Sequence, residues 1–436
     1  MKVREIALNL LDQYENDGKY VNLSLQSHIA DALSVEERAL LTRLLYTTVE
    51  KKITYDYYIS YLSARGIGDI DTTTKNALRL GLCQILDMDT VPDFAAVNET
   101  VDVVRMKSAK GFVNGVLRRA VKEKASLPLP PREKNVQRHL SVKYSYPLHL
   151  VKRLVSVFGI EETEQIFKAY NENHGLSLSV NTCKISREDY LRLLSAAGYN
   201  AEPSPYSSIS VRIKNSCNPR LLPGFEDGYF FVQDDACAAA VEVLGINADD
   251  TVVDVCACPG GKSFAAAILG KDTARVYSYD VSDSKLPLIS SGRDRLSLTS
   301  IVTKVHDATV ADSELIGVCN KVICDVPCSG FGVIAKKPDL RYKPLDSYDT
   351  LPALQYQILA ESAKYLSVGG EMIYSTCTLL PEENADTLRR FIAEHPNFST
   401  VDFTVVGLSS EGGTFTFLPH KHGTDGFFVA KIKRTK

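Results

Sequence analysis

Two cysteines stand where a thiol has chemistry to do. Cys328 lies in DVPCSGFG and Cys377 in YSTCTLLPEEN, each just after a short β-rich run and inside a segment that proline or glycine makes rigid or tight. A buried cysteine ordinarily behaves as a small hydrophobe, and that reading suits Cys237 and Cys319; it suits loop cysteines at strand ends poorly. A thiol facing helix N-termini and a cation such as Lys262 is expected to have a lowered pKa and to be nucleophilic. Carboxylates recur in the same setting, because Asp254, Asp280, Asp307 and Asp325 each close or follow an apolar β-rich run. One aspartate after a strand is usually a helix cap. Four at successive strand ends would line one crevice, if the strands are parallel.

The run Asp254-Val-Cys-Ala-Cys-Pro-Gly-Gly-Lys262 is followed by the apolar stretch FAAAIL. Paired Gly260 and Gly261 let the backbone turn tightly and approach a ligand, as strand-to-helix loops do for nucleotides. The pattern is neither G-x-G-x-x-G nor a phosphate loop, so a tight turn without a ligand stays open. Asp280, at the end of the next strand, stands where a carboxylate can accept hydrogen bonds from both hydroxyls of a ribose. Spacing argues against a metal: Cys256 and Cys258 are separated by one residue, Cys324 and Cys328 by three, and no closely spaced histidine pair follows.

These residues need a scaffold, and the chain is long enough to supply several. Its 436 residues carry 50 Lys plus Arg against 53 Asp plus Glu and are 44% hydrophobic, which predicts a soluble protein of two or three domains and excludes a uniformly basic nucleic-acid coat. The N-terminus MKVREIALNLLDQY has no apolar signal core, and no window offers about 20 uninterrupted apolar residues. Ten cysteines in so long a chain are too sparse for a disulfide scaffold. A cytoplasmic protein with reduced thiols and no membrane or metal partner is the expectation.

Three segments follow from periodicity. Residues 1–127 read as helical: Val3, Ile6, Ala7, Leu10, Leu11 and Tyr14 share one helical face, and Leu40, Leu41, Leu44, Leu45, Thr48 and Val49 repeat the spacing. Pro128, Pro130 and Pro131 stop that pattern and open 128–235, a linker and small α+β module in which LSLSVNT and SISVRI flank a helix headed by Ser186 and Asp189. Between Arg105 and Arg138 ten Lys or Arg face only Glu123 and Glu133; such a run is a solvated face or a surface for a phosphate backbone. In 236–436, TVVDVC, RVYSYDV, SIVTKV, KVICDV and EMIYST alternate with mostly helical stretches, with GFFVAKI closing, which predicts a doubly wound, mainly parallel, Rossmann-like α/β sheet.

VDVCACPGGKSFAAA, YDVSDSKL, DVPCSGFGVIAKKPDLRY and YSTCTLLPEEN, in that order, resemble the cofactor and catalytic motifs of the RNA 5-methylcytosine methyltransferases. GYFFVQDDACAAA is similar to the segment leading into that catalytic domain, and LRLGLCQILDMDTVPDFAAVNETVDVV with GFVNGVLRRA resembles a NusB-like helical RNA-binding domain. The combination spans nearly the whole chain and is similar to the bacterial 16S ribosomal RNA cytosine-5 methyltransferases of the Sun/Fmu, RsmB-like type.

The resemblance implies S-adenosyl-L-methionine as cofactor and 16S ribosomal RNA, unassembled or partly assembled into the small subunit, as partner. It implies Cys377 as the nucleophile that adds to carbon 6 of a cytosine, Cys328 as the residue assisting product release, and Asp325 as a contact to the base. Cys256, Ala257, Cys258, Pro259, Gly260, Gly261 and Lys262 would wrap the methionine end of the cofactor, with Asp280 on its ribose, Asp307 near its adenine and Asp325 beside it; Lys336, Lys337 and Arg341 would hold RNA phosphates. The chain departs from the family at Cys258, where Ala is usual, at Ser179, where Arg is usual, and at Pro287 in the helix after Asp280. The same chemistry on transfer RNA, and a non-catalytic RNA-binding assembly factor, are the alternatives.

Overall fold

A computed structural model describes residues 3–18, 33–172, 175–214 and 217–436. The chain divides into two compact units, residues 1–167 with 336–343, and residues 168–335 with 344–436.

The first unit is helical, with α1 Val3–Asp17, α2 Val35–Glu50, α3 Lys52–Ser63, α4 Thr72–Asp87, α5 Asp93–Val103, α6 Lys107–Glu123 and α7 Val136–Tyr144, and with most of α8 Leu148–Tyr170. Residues 19–32 of the expected helical segment lie outside the described residues. The periodic positions do what periodicity requires: Val3, Ile6, Ala7, Leu10 and Leu11 of α1 are buried, as are Leu41, Leu44, Leu45 and Val49 of α2. A reciprocal capping box starts α2, in which the Ser34 hydroxyl accepts the Glu37 N–H and the Glu37 carboxylate accepts the Ser34 N–H. At Gly81 a Cβ would stand 2.6 Å from the Leu117 methyl carbons, so α4 and α6 meet at a residue without a side chain.

The basic run is less bare than its sequence. Arg119 pairs with Glu123 and also donates to the Leu62 carbonyl, Lys124 pairs with Asp93, and Arg132 pairs with Glu164. One expected phosphate contact is corrected. Arg341 is wholly buried within the helical unit, where its guanidinium lies 4.3 Å from the Tyr146 ring centroid and donates to the Glu50 carbonyl at 3.1 Å. The neighbouring Tyr342 hydroxyl donates to the Val49 carbonyl at 2.7 Å. Lys336 and Lys337 are exposed. Sequence placed all three in one basic stretch; the flat guanidinium with an aromatic partner is the one that can be buried.

In the second unit a small module comprises β1 Leu176–Val180, α9 Arg187–Ala196, β2 Ala201–Pro203, β3 Ser210–Ile213 and β4 Phe230–Val232. Its sheet is antiparallel in the order β2-β3-β1-β4 over a core of Leu178, Val180, Tyr190, Leu194, Val211 and Phe230. Ser186 caps α9, as its sequence signature predicts.

The α/β layer follows with α10 Asp235–Glu242, β5 Thr251–Asp254, α11 Gly261–Leu269, β6 Arg275–Asp280, α12 Leu286–Leu296, β7 Ile301–Val305, β8 Cys319–Asp325, α13 Leu351–Ala363, β9 Leu366–Thr376, α14 Ala385–Glu394, β10 Phe398–Thr400, β11 Thr404–Val405, β12 Leu408–Ser409, β13 Thr414–Phe417 and β14 Phe427–Arg434. The sheet order is β10-β14-β9-β8-β5-β6-β7, with β13 also on β14. Strands β9-β8-β5-β6-β7 are parallel, and β14 runs antiparallel to β9. Strand order reverses between β5 and β8, the switch point at which doubly wound sheets hold ligands. Every strand expected from sequence is present. The short β10 to β13 pieces were not foreseen, being too brief for alternation to register. Pro287 falls in the first turn of α12, where no intrahelical hydrogen bond is lost.

Arg341→Ala should lower the stability of the helical unit by about 3 kcal/mol, read as a drop in its unfolding midpoint, because it empties a packed site and takes from the partly buried Glu50 the first of the two cations, Arg341 and Lys51, that lower its pKa. A solvated arginine would leave the midpoint within about 0.5 kcal/mol of wild type.

Candidate functional site

The carboxyl ends of β5, β6, β8 and β9 bring most of the chemistry-bearing residues to one edge. The loop after β5 is held by its own backbone. Ala257 N–H donates to the Tyr279 carbonyl at 2.8 Å, and Gly260 N–H to the Ala257 carbonyl at 2.6 Å. The peptide between Cys258 and Pro259 is cis, and Pro259 is exposed. Gly260 has φ +111°, and a Cβ there would stand 2.5 Å from the Phe264 ring, so this corner accepts only glycine. Gly261 then opens α11, which has no side-chain cap. The first N–H groups of a helix lack intrahelical partners, which makes such an opening a place for an anionic group.

Asp280 joins two loops. One carboxylate oxygen accepts the Cys258 N–H at 3.1 Å and the other the Ser282 N–H at 3.0 Å. Asp325 is anchored on both oxygens, by Lys262 Nζ at 2.7 Å and by the Ser375 hydroxyl at 2.7 Å. Burial pulls the Lys262 pKa down, but Asp325 foremost among its anionic neighbours outweighs it, and the net shift is upward. The ammonium therefore stays charged. Asp307 is exposed and binds its own turn, accepting the Thr309 N–H and hydroxyl, of which the N–H does most to hold its pKa low. Asp254 does not line the crevice. It is fully buried, accepts the Ser263 hydroxyl at 2.7 Å, and burial raises its pKa to about 7.

The two cysteines singled out by sequence meet. Cys328 Sγ and Cys377 Sγ are 3.1 Å apart. Gly332 packs their loops together: its N–H donates to the Cys377 carbonyl at 2.8 Å, its carbonyl accepts the Gly426 N–H at 2.8 Å, and a Cβ there would fall 1.8 Å from the Gly426 oxygen. The thiolate expected from sequence is corrected. The Cys377 pKa is raised, first by the hydrogen bond its thiol shares with Cys328, then by burial, then by the charge of Cys328 and of Asp325; Lys262 opposes them and loses. Burial likewise raises Cys256, and Cys258 to a lesser degree, its Sγ lying 3.4 Å from the Lys285 carbonyl. Cys237, Cys319 and Cys324 are pushed up to about 12 by burial. Sequence reasoning overlooked Gly332, Gln355 and Glu383, which support the cysteine loops without lying in the strand-end positions that drew attention; Glu383 was signalled only by its place in the PEEN run after Cys377.

Comparison with known proteins matches three consecutive parts of the chain. Residues 241–433 match the model for "16S rRNA methyltransferase RsmB/F", residues 1–122 that for the NusB family, and residues 146–219 that for an RsmF/B-like ferredoxin-like domain. The "Probable ribosomal RNA small subunit methyltransferase B" of Bacillus subtilis is 34% identical over 99% of this chain and 98% of its own length. The ribosomal RNA small subunit methyltransferase B of Yersinia pseudotuberculosis is 31% identical over 99% of this chain and 98% of its own. Among solved structures, that of PH0851 superposes with a TM-score of 0.81 at 26% identity, covering 100% of this chain and 99% of that one. NSun6 from Pyrococcus horikoshii with SFG shares the fold at a TM-score of 0.59 and 21% identity, over 67% of this chain and 99% of that one.

Asp254 gives the site a pH signature. Its folded pKa of about 7 exceeds the free value of 3.8, so below about pH 4 it is neutral in both states and costs nothing. As pH rises to about 7 the unfolded chain gains from ionising while the folded one does not, and stability falls by an amount on the order of 4 kcal/mol. Asp254→Asn cannot ionise. Its unfolding midpoint relative to wild type should therefore improve between pH 4 and pH 8; a constant difference across that range would show that Asp254 is not the titrating group.

Proposed function

Because the chain belongs to the 16S rRNA methyltransferase RsmB/F family and is an S-adenosylmethionine-dependent RNA methyltransferase, we propose that it methylates carbon 5 of a cytosine in 16S ribosomal RNA through a covalent Cys377 adduct. The observation that carries this reading is the pair of cysteine sulfurs 3.1 Å apart where the loops after β8 and β9 meet, next to Asp325, which Ser375 of β9 holds.

The residues present suit the cofactor. Gly260 forms a corner that a Cβ would fill, and α11 opens uncapped beside it. Residues Cys256 to Lys262 would hold the methionine end, largely through their backbone, with the Lys262 ammonium nearby. Asp280 would take the ribose, since each of its oxygens, though already accepting one N–H, retains a lone pair. Asp307 would stand near the adenine. When bound, S-adenosylmethionine supplies an electrophilic methyl group.

Carbon 5 of cytosine is a poor nucleophile, so the base must be activated at carbon 6. Cys377 forms the sulfur to carbon 6 bond and gives up its thiol proton, while the ring nitrogen gains one; Asp325, fixed by Lys262 and Ser375, would hold the base by hydrogen bonding. The raised pKa of Cys377 fits this balance, because a resting neutral thiol carries the proton that the addition must dispose of. After methyl transfer the carbon 5 proton passes to solvent, the sulfur to carbon 6 bond breaks, and the departing sulfur takes back the ring-nitrogen proton; Cys328 assists that release. A paired base is out of reach, so the target nucleotide must be unstacked.

Cys377→Ala should abolish transfer of labelled methyl groups to 16S ribosomal RNA, whereas Cys328→Ala should accumulate a denaturant-resistant protein–RNA adduct; the reverse pattern would exchange the two roles. Bisulfite sequencing of ribosomal RNA from cells with and without the protein should show one cytosine losing its protection. Loss of protection in transfer RNA instead would move the substrate class, and no loss anywhere would favour the non-catalytic assembly reading.

A further inference from the structure

Glu383 is 1% exposed and lies in the short segment between Cys377 and α14. It touches neither sulfur, yet hydrogen bonds run from it to both cysteine loops. Its Oε2 accepts the Ser329 N–H at 2.9 Å and the Gln355 side-chain amide at 2.8 Å. Gln355, wholly buried on α13, also donates to the Pro327 carbonyl at 2.9 Å. The residues immediately before and after Cys328 are thus both tied back to one carboxylate oxygen.

The Cys377 side is tied to the same place. The Glu383 carbonyl accepts the Tyr374 hydroxyl from β9 at 2.6 Å. Asn384 donates to the Thr378 carbonyl at 3.0 Å, and the Ser329 hydroxyl donates to Thr378 Oγ1 at 2.8 Å. Burying a carboxylate is costly unless hydrogen bonds repay it, and an apolar residue would fill the space without that cost. What an apolar residue cannot do is accept from a backbone N–H and a side-chain amide together.

We propose that Glu383 is the positioning residue that holds the Cys328 loop in register with Cys377. It keeps the releasing cysteine within reach of the adduct formed on its neighbour. The proposal rests on the assignment of Cys377 to attack and Cys328 to release, and it adds that their spacing is set by a third side chain.

The test uses the full-length chain, labelled S-adenosylmethionine and an unmodified 16S ribosomal RNA transcript. Glu383→Ala should lower kcat by about a hundredfold, the scale of a misplacement near 1 Å, with the S-adenosylmethionine dissociation constant unchanged by calorimetry. It should also raise the fraction of enzyme caught as denaturant-resistant adduct, as loss of Cys328 does; a role in folding alone would lower activity without adduct. Glu383→Gln retains an oxygen that can accept both hydrogen bonds and should restore turnover to within severalfold of wild type. Should Glu383→Ala lose cofactor binding altogether, Gln355→Leu decides: it cuts the bonds to Pro327 and Glu383, and adduct accumulation is again the expected result. Wild-type kcat and adduct level in Glu383→Ala, or a Glu383→Gln as inactive as Glu383→Ala with no adduct, would overturn the clamp alone. A wild-type chain that transfers no methyl group, or a Cys377→Ala variant that still does, would overturn the functional reading and the clamp with it.

Discussion

The ion pair between Lys262 and Asp325 is the constraint around which the candidate site is arranged. It joins the first turn of α11 to the end of β8, the two sides of the point where strand order reverses. A lysine with 13% of its side chain exposed must be paired or lose its charge, and Asp325, braced from behind by Ser375, keeps it charged. The pair is worth little as a stabiliser, because its attraction must first repay two desolvations. Its value is geometric. Removing Asp325 would leave the 13%-exposed Lys262 ammonium without its partner at a cost of about 3–5 kcal/mol, so the loop after β5 and the end of β8 are held in one relation to each other.

That relation bears on the thiols. A lysine near a cysteine usually favours the thiolate, but here Asp325 neutralises the ammonium, and the shared Cys328–Cys377 hydrogen bond and burial both favour the proton-bearing form. At rest Cys377 therefore holds its proton, and a neutral thiol resists adventitious alkylation or oxidation better than a bare thiolate would.

Much of this was legible in the sequence because it depends on local pattern. Short apolar, β-rich runs marked the parallel strands, three-to-four spacing marked α1 and α2, and the doubled glycine marked the turn before α11. The two cysteines could be paired in thought because both follow strands that parallel topology places side by side, and β8 and β9 are indeed adjacent. What failed to show was the depth at which individual charged groups sit. Asp254, Asp280, Asp307 and Asp325 look equivalent in a sequence, but one is sealed in the core, one bridges loops, one closes its own turn and one pairs with a lysine. Arg341 looked like its neighbours Lys336 and Lys337 for the same reason. Local charge gives no warning that a guanidinium will be covered by an aromatic ring.

The departures from the family pattern illustrate which features of the loop are constrained. At Cys258 the contribution to the site is a backbone N–H donated to Asp280, while the side chain turns toward the Lys285 carbonyl, so exchanging alanine for cysteine changes the atoms that matter least. Ser179, fully buried, donates to the Gln233 side-chain amide oxygen at 2.8 Å, and the nitrogen of that amide lies 3.3 Å from where a Cβ of Gly261 would project. A large side chain at Gly261 would press on that amide. The loop therefore tolerates variation where the side chain points away and refuses it where backbone, glycine and amide crowd together. By that argument the shape of the cradle depends more on Gly260 and Gly261 than on either cysteine within it.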